Sequence, residues 1–110
     1  MLIRKVIYSI LNLFDHHKVK IPDLLLEKFK KNPNLSRKDK QRIRVCINEI
    51  VRYLGLIDYL IELGSERKIR HVNPKIRSVL RLGIYELVFD DMTPDFAAIH
   101  SSVELAKKNI

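Results

Sequence analysis

The stretch PKIRSVLRLGIYELVF (residues 74–89), followed by DDMTPD (90–95) and FAAIHSSVELAKK (96–108), decides the fold. Asn73 and Pro74 form a helix start, a capping side chain followed by a first-turn proline. Behind them Ile76, Val79, Leu80, Ile84, Leu87 and Val88 recur at helical spacing, which predicts one apolar side. Gly83 sits inside that stripe. A mid-helix glycine costs about 1 kcal/mol relative to alanine, so close approach of a neighbouring helix is expected to offset it. Thr93-Pro94-Asp95 starts another helix, with Asp91 or Thr93 as a candidate cap. In that helix Ala97, Ala98, Val103 and Ala106 offer a small-residue face for tight packing.

Working outward, the same punctuation divides the rest of the chain into helices. Ile3, Val6, Ile7, Ile10, Leu11 and Phe14 predict a helix over about residues 2–16. Pro22 suits the first turn of a second helix, with Leu24, Leu25, Leu26 and Phe29 on its buried side, and Asn32-Pro33-Asn34 stops it. Ser36-Arg37-Lys38-Asp39 is close to a capping box, with Asp in place of Glu or Gln. The helix it opens carries the stripe Ile43, Ile47, Ile50, Val51 and Leu54. Gly55 marks a break, and a short helix runs on through Leu60 and Leu63 to Gly64-Ser65. No strand alternation appears, so the predicted class is all-α.

With 110 residues, 46% apolar and 31% charged, the chain has the size and composition of one globular domain with one hydrophobic core. Three Gly and four Pro argue against the turn-dense all-β classes. No stretch reaches the ~18 apolar residues needed to span a bilayer. The N-terminal apolar run lacks a small-x-small cleavage site, so a cytoplasmic protein without membrane association is expected. The formal charge of +8, from 21 Lys and Arg against 13 acids, favours polyanionic partners.

No catalytic constellation is present. His16 and His17 are adjacent and project about 100° apart on a helix, so they cannot chelate like an i, i+4 pair. His71 and His100 are isolated, and no metal site is expected. The single Cys46 lies at the edge of an apolar stripe and reads as a small core residue. Asp90-Asp91 reads as a solvated turn. The three glycines are scattered and form no phosphate loop.

The cations are better organised. Lys28, Lys30, Lys31, Arg37, Lys38, Lys40, Arg42 and Arg44 share one window, with Asp39 the one acid among them. Arg67, Lys68, Arg70, Lys75, Arg77 and Arg81 share a second, with no acid between Glu66 and Glu86. Arg77 and Arg81 are i, i+4 neighbours, with Tyr85 one turn further. Cations that displace counterions, beside an aromatic that stacks an unpaired base, are what a backbone-tracking RNA site needs. The competing reading has Tyr85 covering the core and the arginines paired with acids on other helices. The candidate RNA-binding residues are Arg67, Lys68, Arg70, Lys75, Arg77, Arg81, Lys38 and Arg42.

Residues 76–108 closely resemble the NusB/RsmB domain family, in which a helix reading roughly LRLGIYELLF precedes a proline turn and AVNEAVELAKK. The matching residues are Leu80, Arg81, Leu82, Gly83, Tyr85, Glu86 and Leu87, then Pro94, Ala97, Ala98, Ile99, Val103, Glu104, Leu105, Ala106 and Lys107. His100-Ser101-Ser102 departs from the family's usual Asn-Glu-Ala/Thr. Leu35-Ser36-x-x-Asp39 resembles the entry to the family's third helix, and Arg52 and Asp58 fall at its signature positions.

The resemblance implies a NusB-like bundle of about six helices in two packed subbundles, forming one RNA-binding domain over residues 1–110. The family's usual last helix is not seen, so truncation after Ile110 is expected. Arg52 is typical of the N-terminal domain of RsmB-type (Sun/Fmu) rRNA cytosine-5 methyltransferases. The resemblance therefore points first to a non-catalytic domain positioning small-subunit rRNA. It would carry no cofactor of its own, with S-adenosylmethionine confined to a separate catalytic domain, itself a possible docking partner. The alternative is a NusB-like transcription antitermination factor that binds boxA-type RNA and a ribosomal protein.

Overall fold

A computed structural model describes residues 2–16, 19–90 and 95–109, with side chains described except at 16, 96, 99 and 105–109. Its elements are α1 (Leu2–His16), α2 (Ile21–Lys31), α3 (Arg37–Arg52), α4 (Leu54–Ser65), a 3-10 turn (Ile69–His71), α5 (Pro74–Val88) and α6 (Asp95–Asn109). The chain is all-α among the described residues. It divides into two compact units, residues 1–52 and 53–110. That matches the two subbundles implied by the family resemblance rather than the single core expected from chain length.

In the first unit α1 packs on α2 and α3. Val6, Ile7, Ile10 and Leu11 of α1, Leu24 and Leu25 of α2, and Ile43, Cys46, Ile47 and Ile50 of α3 are buried. Cys46 is thus the core residue its position suggests. Leu26, expected on the buried side, is exposed, while Phe29 is only half-buried. The capping box forms reciprocally. The Asp39 amide donates to Ser36 Oγ at 3.0 Å, and the Ser36 amide donates to Asp39 Oδ2 at 3.4 Å.

In the second unit α5 packs on both α4 and α6. Asn73 caps α5 through its side chain, which accepts from the Lys75 amide at 3.0 Å. The buried residues of α5 are Ser78, Val79, Arg81, Leu82, Gly83, Tyr85 and Glu86. The predicted stripe is therefore rotated: Leu87 and Val88 are exposed, and Leu82, outside the stripe, is wholly buried. Helices on two sides cover more of α5 than an apolar stripe alone marks out. Gly83 faces Ser102 of α6. A Cβ built there would lie 2.8 Å from Ser102 Oγ.

One helix boundary differs from expectation. The break after α3 falls at Tyr53, and Gly55 lies inside α4. At its far end α4 closes at Ser65, as expected, and the next residue, Glu66, adopts the left-handed conformation, with φ 59°. Ala98 of α6 is buried, whereas Val103 is exposed. The expected caps Asp91 and Thr93, together with Pro94 and His17, lie outside the described residues, as do the side chains of His16 and Ala106. No helix among the described residues is long and apolar enough to cross a membrane.

Candidate nucleic-acid interface

Cations are displayed on each unit, and each display is built from a different kind of local structure. In the second unit the link between α4 and α5 is a chain of short hydrogen bonds. The Glu66 amide donates to the Glu62 carbonyl at 2.9 Å, and the Arg67 amide to Ser65 Oγ at 3.3 Å. The Ile69 amide donates to Glu62 Oε2 at 2.8 Å. The His71 amide donates to the Lys68 carbonyl and the Val72 amide to the Ile69 carbonyl, closing the 3-10 turn. Val72 is buried and anchors the link. Arg67, Lys68 and Arg70 project from this fixed backbone and are exposed, as is Lys75 on the first turn of α5.

Arg77 is half-buried, and its Nη2 donates to the Val72 carbonyl at 3.0 Å. It holds the end of the link.

Arg81, grouped by sequence with the RNA-contacting cations, is only 5% exposed. Its guanidinium makes a two-bond pair with Asp58 of α4, at 2.8 and 2.9 Å. Buried charges persist only when so paired. Tyr85 is 4% exposed and stacks beside Phe89, which in turn stacks on Tyr53 with centroids 5.0 Å apart. Neither Arg81 nor Tyr85 lies on the surface, so the reading of an Arg77–Arg81–Tyr85 face is corrected. The three residues serve the interior or hold the link. Leu80 and Leu82 flanking Arg81, with Asp58 at a family signature position, were the available signal for this pair.

In the first unit Lys38 and Arg42 are both exposed on α3. The sequence placed Lys40 and Arg44 in the same basic window but not their contact with Phe29. Lys40 Nζ lies 5.8 Å and the Arg44 guanidinium carbon 5.4 Å from the centre of the Phe29 ring. This cation–aromatic contact joins the end of α2 to the first half of α3. Arg44 also donates to Gln41 Oε1 at 3.2 Å. Lys31 is engaged with Glu27 at 2.8 Å, and that pairing holds the Glu27 carboxyl below its ordinary range.

Residues 1–109 match the model of the NusB family. The chain belongs to the NusB family. Among its NusB-family relatives is a transcription antitermination protein NusB of Coxiella burnetii, 33% identical over 87 residues. The aligned region covers 79% of this chain and 63% of that protein, so the chain spans less than two-thirds of that relative's length. A NusB of Methylacidiphilum infernorum is 30% identical over 108 residues, 96% of this chain and 75% of the relative. A probable ribosomal RNA small subunit methyltransferase B of Synechocystis is 31% identical over 87 residues, 79% of this chain but 20% of that protein. The fold also matches a solved structure, "Crystal Structure of a Plectonemic RNA Supercoil". The TM-score is 0.89 and the identity 22%, over 97% of this chain and 78% of that one. In this NusB-family chain, among the described residues, no three His, Cys, Asp or Glu are grouped to hold a metal ion.

Proposed function

We propose that this NusB-family chain is an RNA-binding domain acting in transcription antitermination. The exposed cations Arg67, Lys68 and Arg70 on the α4–α5 link, with Lys75 on the first turn of α5, carry the reading. They stand in a run with no acid from residue 67 to residue 85 and on a backbone already fixed by hydrogen bonds. Lys38 and Arg42 supply a second basic surface on the first unit. Cations of this kind position phosphates without reading sequence. The antitermination proteins are matched over most of their length, which favours this reading over the methyltransferase one. The boxA-type RNA and the ribosomal-protein partner belong to the same proposal.

The second reading is the RNA-positioning domain of an rRNA cytosine-5 methyltransferase. It is supported by the 31% identity to the Synechocystis protein and by Arg52 at the end of α3. Fluorescence anisotropy with a labelled boxA-type oligonucleotide and a small-subunit rRNA hairpin tests both. Affinity should fall steeply between about 50 and about 200 mM salt. Four phosphate contacts on a single strand give a log–log slope of roughly −3. Tighter binding to boxA-type RNA supports antitermination, and tighter binding to the hairpin supports the methyltransferase reading. Binding to neither, or a flat salt dependence, rules out an RNA-binding role.

A further inference from the structure

We infer that Glu62 is a positioning residue for RNA binding: its carboxylate clamps the cation-bearing α4–α5 link in the form that meets the phosphate backbone. This inference rests on the RNA-binding reading above.

An acidic side chain beside a polyanion site is electrostatically adverse, because it repels the phosphates that Arg67, Lys68 and Arg70 attract. Glu62 nonetheless projects from α4 into the base of this link. Its Oε2 accepts from the Ile69 amide at 2.8 Å, seven residues along the chain. Its backbone carbonyl accepts from the Glu66 amide at 2.9 Å. One residue therefore ties down both ends of the segment that carries Arg67 and Lys68. The Ile69 amide opens the 3-10 turn, where backbone donors lack a helical partner and need one from elsewhere. Arg77, through its 3.0 Å bond to the Val72 carbonyl, closes the other side of that turn.

Arg67, Lys68 and Arg70 are long side chains whose rotamer freedom is lost on binding. A backbone already held in place removes the loop's share of that ordering cost. Glu62 contributes through geometry, against the sign of its charge. That opposition lets the two effects be separated.

Two conservative substitutions in the 110-residue chain make the test. Glu62→Asp keeps the charge but is one methylene too short to reach the Ile69 amide. Glu62→Gln keeps an oxygen acceptor at the same reach and removes the charge. Anisotropy with a labelled single-stranded RNA reads affinity, and NMR amide exchange reads the Ile69 N–H. Positioning predicts that Glu62→Asp binds roughly five- to tenfold more weakly, with an unchanged salt slope and faster Ile69 exchange. Glu62→Gln then binds within about twofold of the parent or tighter. Lys68→Ala, a contact variant, should instead lower the salt slope by about 0.7. Parental affinity in Glu62→Asp, unchanged Ile69 exchange, or weakened binding in Glu62→Gln would each overturn the inference while leaving RNA binding intact. Failure of the parent chain to bind RNA would overturn the functional reading itself.

Discussion

Arg81 donates from Nε and Nη2 to the two carboxylate oxygens of Asp58, at 2.8 and 2.9 Å, and so ties α5 to α4 inside the second unit. The side chains are 6% and 18% exposed. A pair this sheltered is dangerous to break, because the surviving charge is left in a poorly solvated place. Asp58→Ala should cost about 3 kcal/mol. Replacing both partners, as in Asp58→Leu with Arg81→Met, should cost less than the single change, since neither Asp58 nor Arg81 is left as a charge stripped of the other. Urea unfolding of the singles and the double reads the coupling. Additive losses would show that the pair is not a unit.

Gly83 makes a prediction of opposite sign. Its place in α5 forfeits about 1 kcal/mol of helix propensity. An added Cβ would meet Ser102 Oγ at 2.8 Å but Ser102 Cβ at an ordinary 3.5 Å. Only the hydroxyl stands in the way. Gly83→Ala should therefore bring little or no gain in the parent, yet stabilise a Ser102→Ala background by about 1 kcal/mol. Thermal or urea unfolding of the four-member cycle gives the answer. An equal effect in both backgrounds would remove close α5–α6 approach as the reason for the glycine.

Glu66 holds φ 59° at the end of α4, a conformation that glycine adopts without cost and other L-residues do not. The αL strain of about 1 kcal/mol is offset in part by glycine's larger unfolded-state entropy. Glu66→Gly should raise stability by about 0.5 kcal/mol. It also removes an exposed acid beside Arg67 and Lys68, so RNA affinity should rise as well. A higher urea midpoint with unchanged slope, together with tighter RNA binding in anisotropy, is the expected pair of results.

What could be read from sequence divides along the range of the interactions. The Ser36–Asp39 box and the Asn73 cap are contacts of two or three residues, so their spacing alone revealed them. Gly83 announced a close helix approach because it broke a local propensity rule. The Arg81–Asp58 pair spans 23 residues. In one dimension Arg81 looks like one more cation in a basic run. The Glu62–Ile69 bond runs from a side chain to a backbone amide at a separation no motif marks. The left-handed conformation falls on Glu66, where no glycine marks it in the sequence. Consequently the helices were legible, while the sorting of the cations into surface contacts and internal supports was not.

Tyr8 supplies a prediction tied to pH. It lies on the buried side of α1, 9% exposed, and its hydroxyl has no hydrogen-bond partner among the described residues. Burial pushes its pKa above the ordinary 10.0, because the phenolate is the form that loses solvation. In the window between 10.0 and the higher folded value, the folded chain holds a proton that the unfolded chain has released. Stability therefore falls as pH rises through that window, and this contribution is fully present below it. Tyr8→Phe removes both the unpartnered hydroxyl and the titration. The variant should be about 1 kcal/mol more stable than the parent at neutral pH. Its advantage should widen above pH 10 as the parent loses the Tyr8 contribution. Urea midpoints of the two proteins measured side by side from neutral to alkaline pH isolate this difference from the titration of the lysines and other tyrosines. A constant gap across the range would mean that Tyr8 ionises as readily in the folded chain as in the unfolded one.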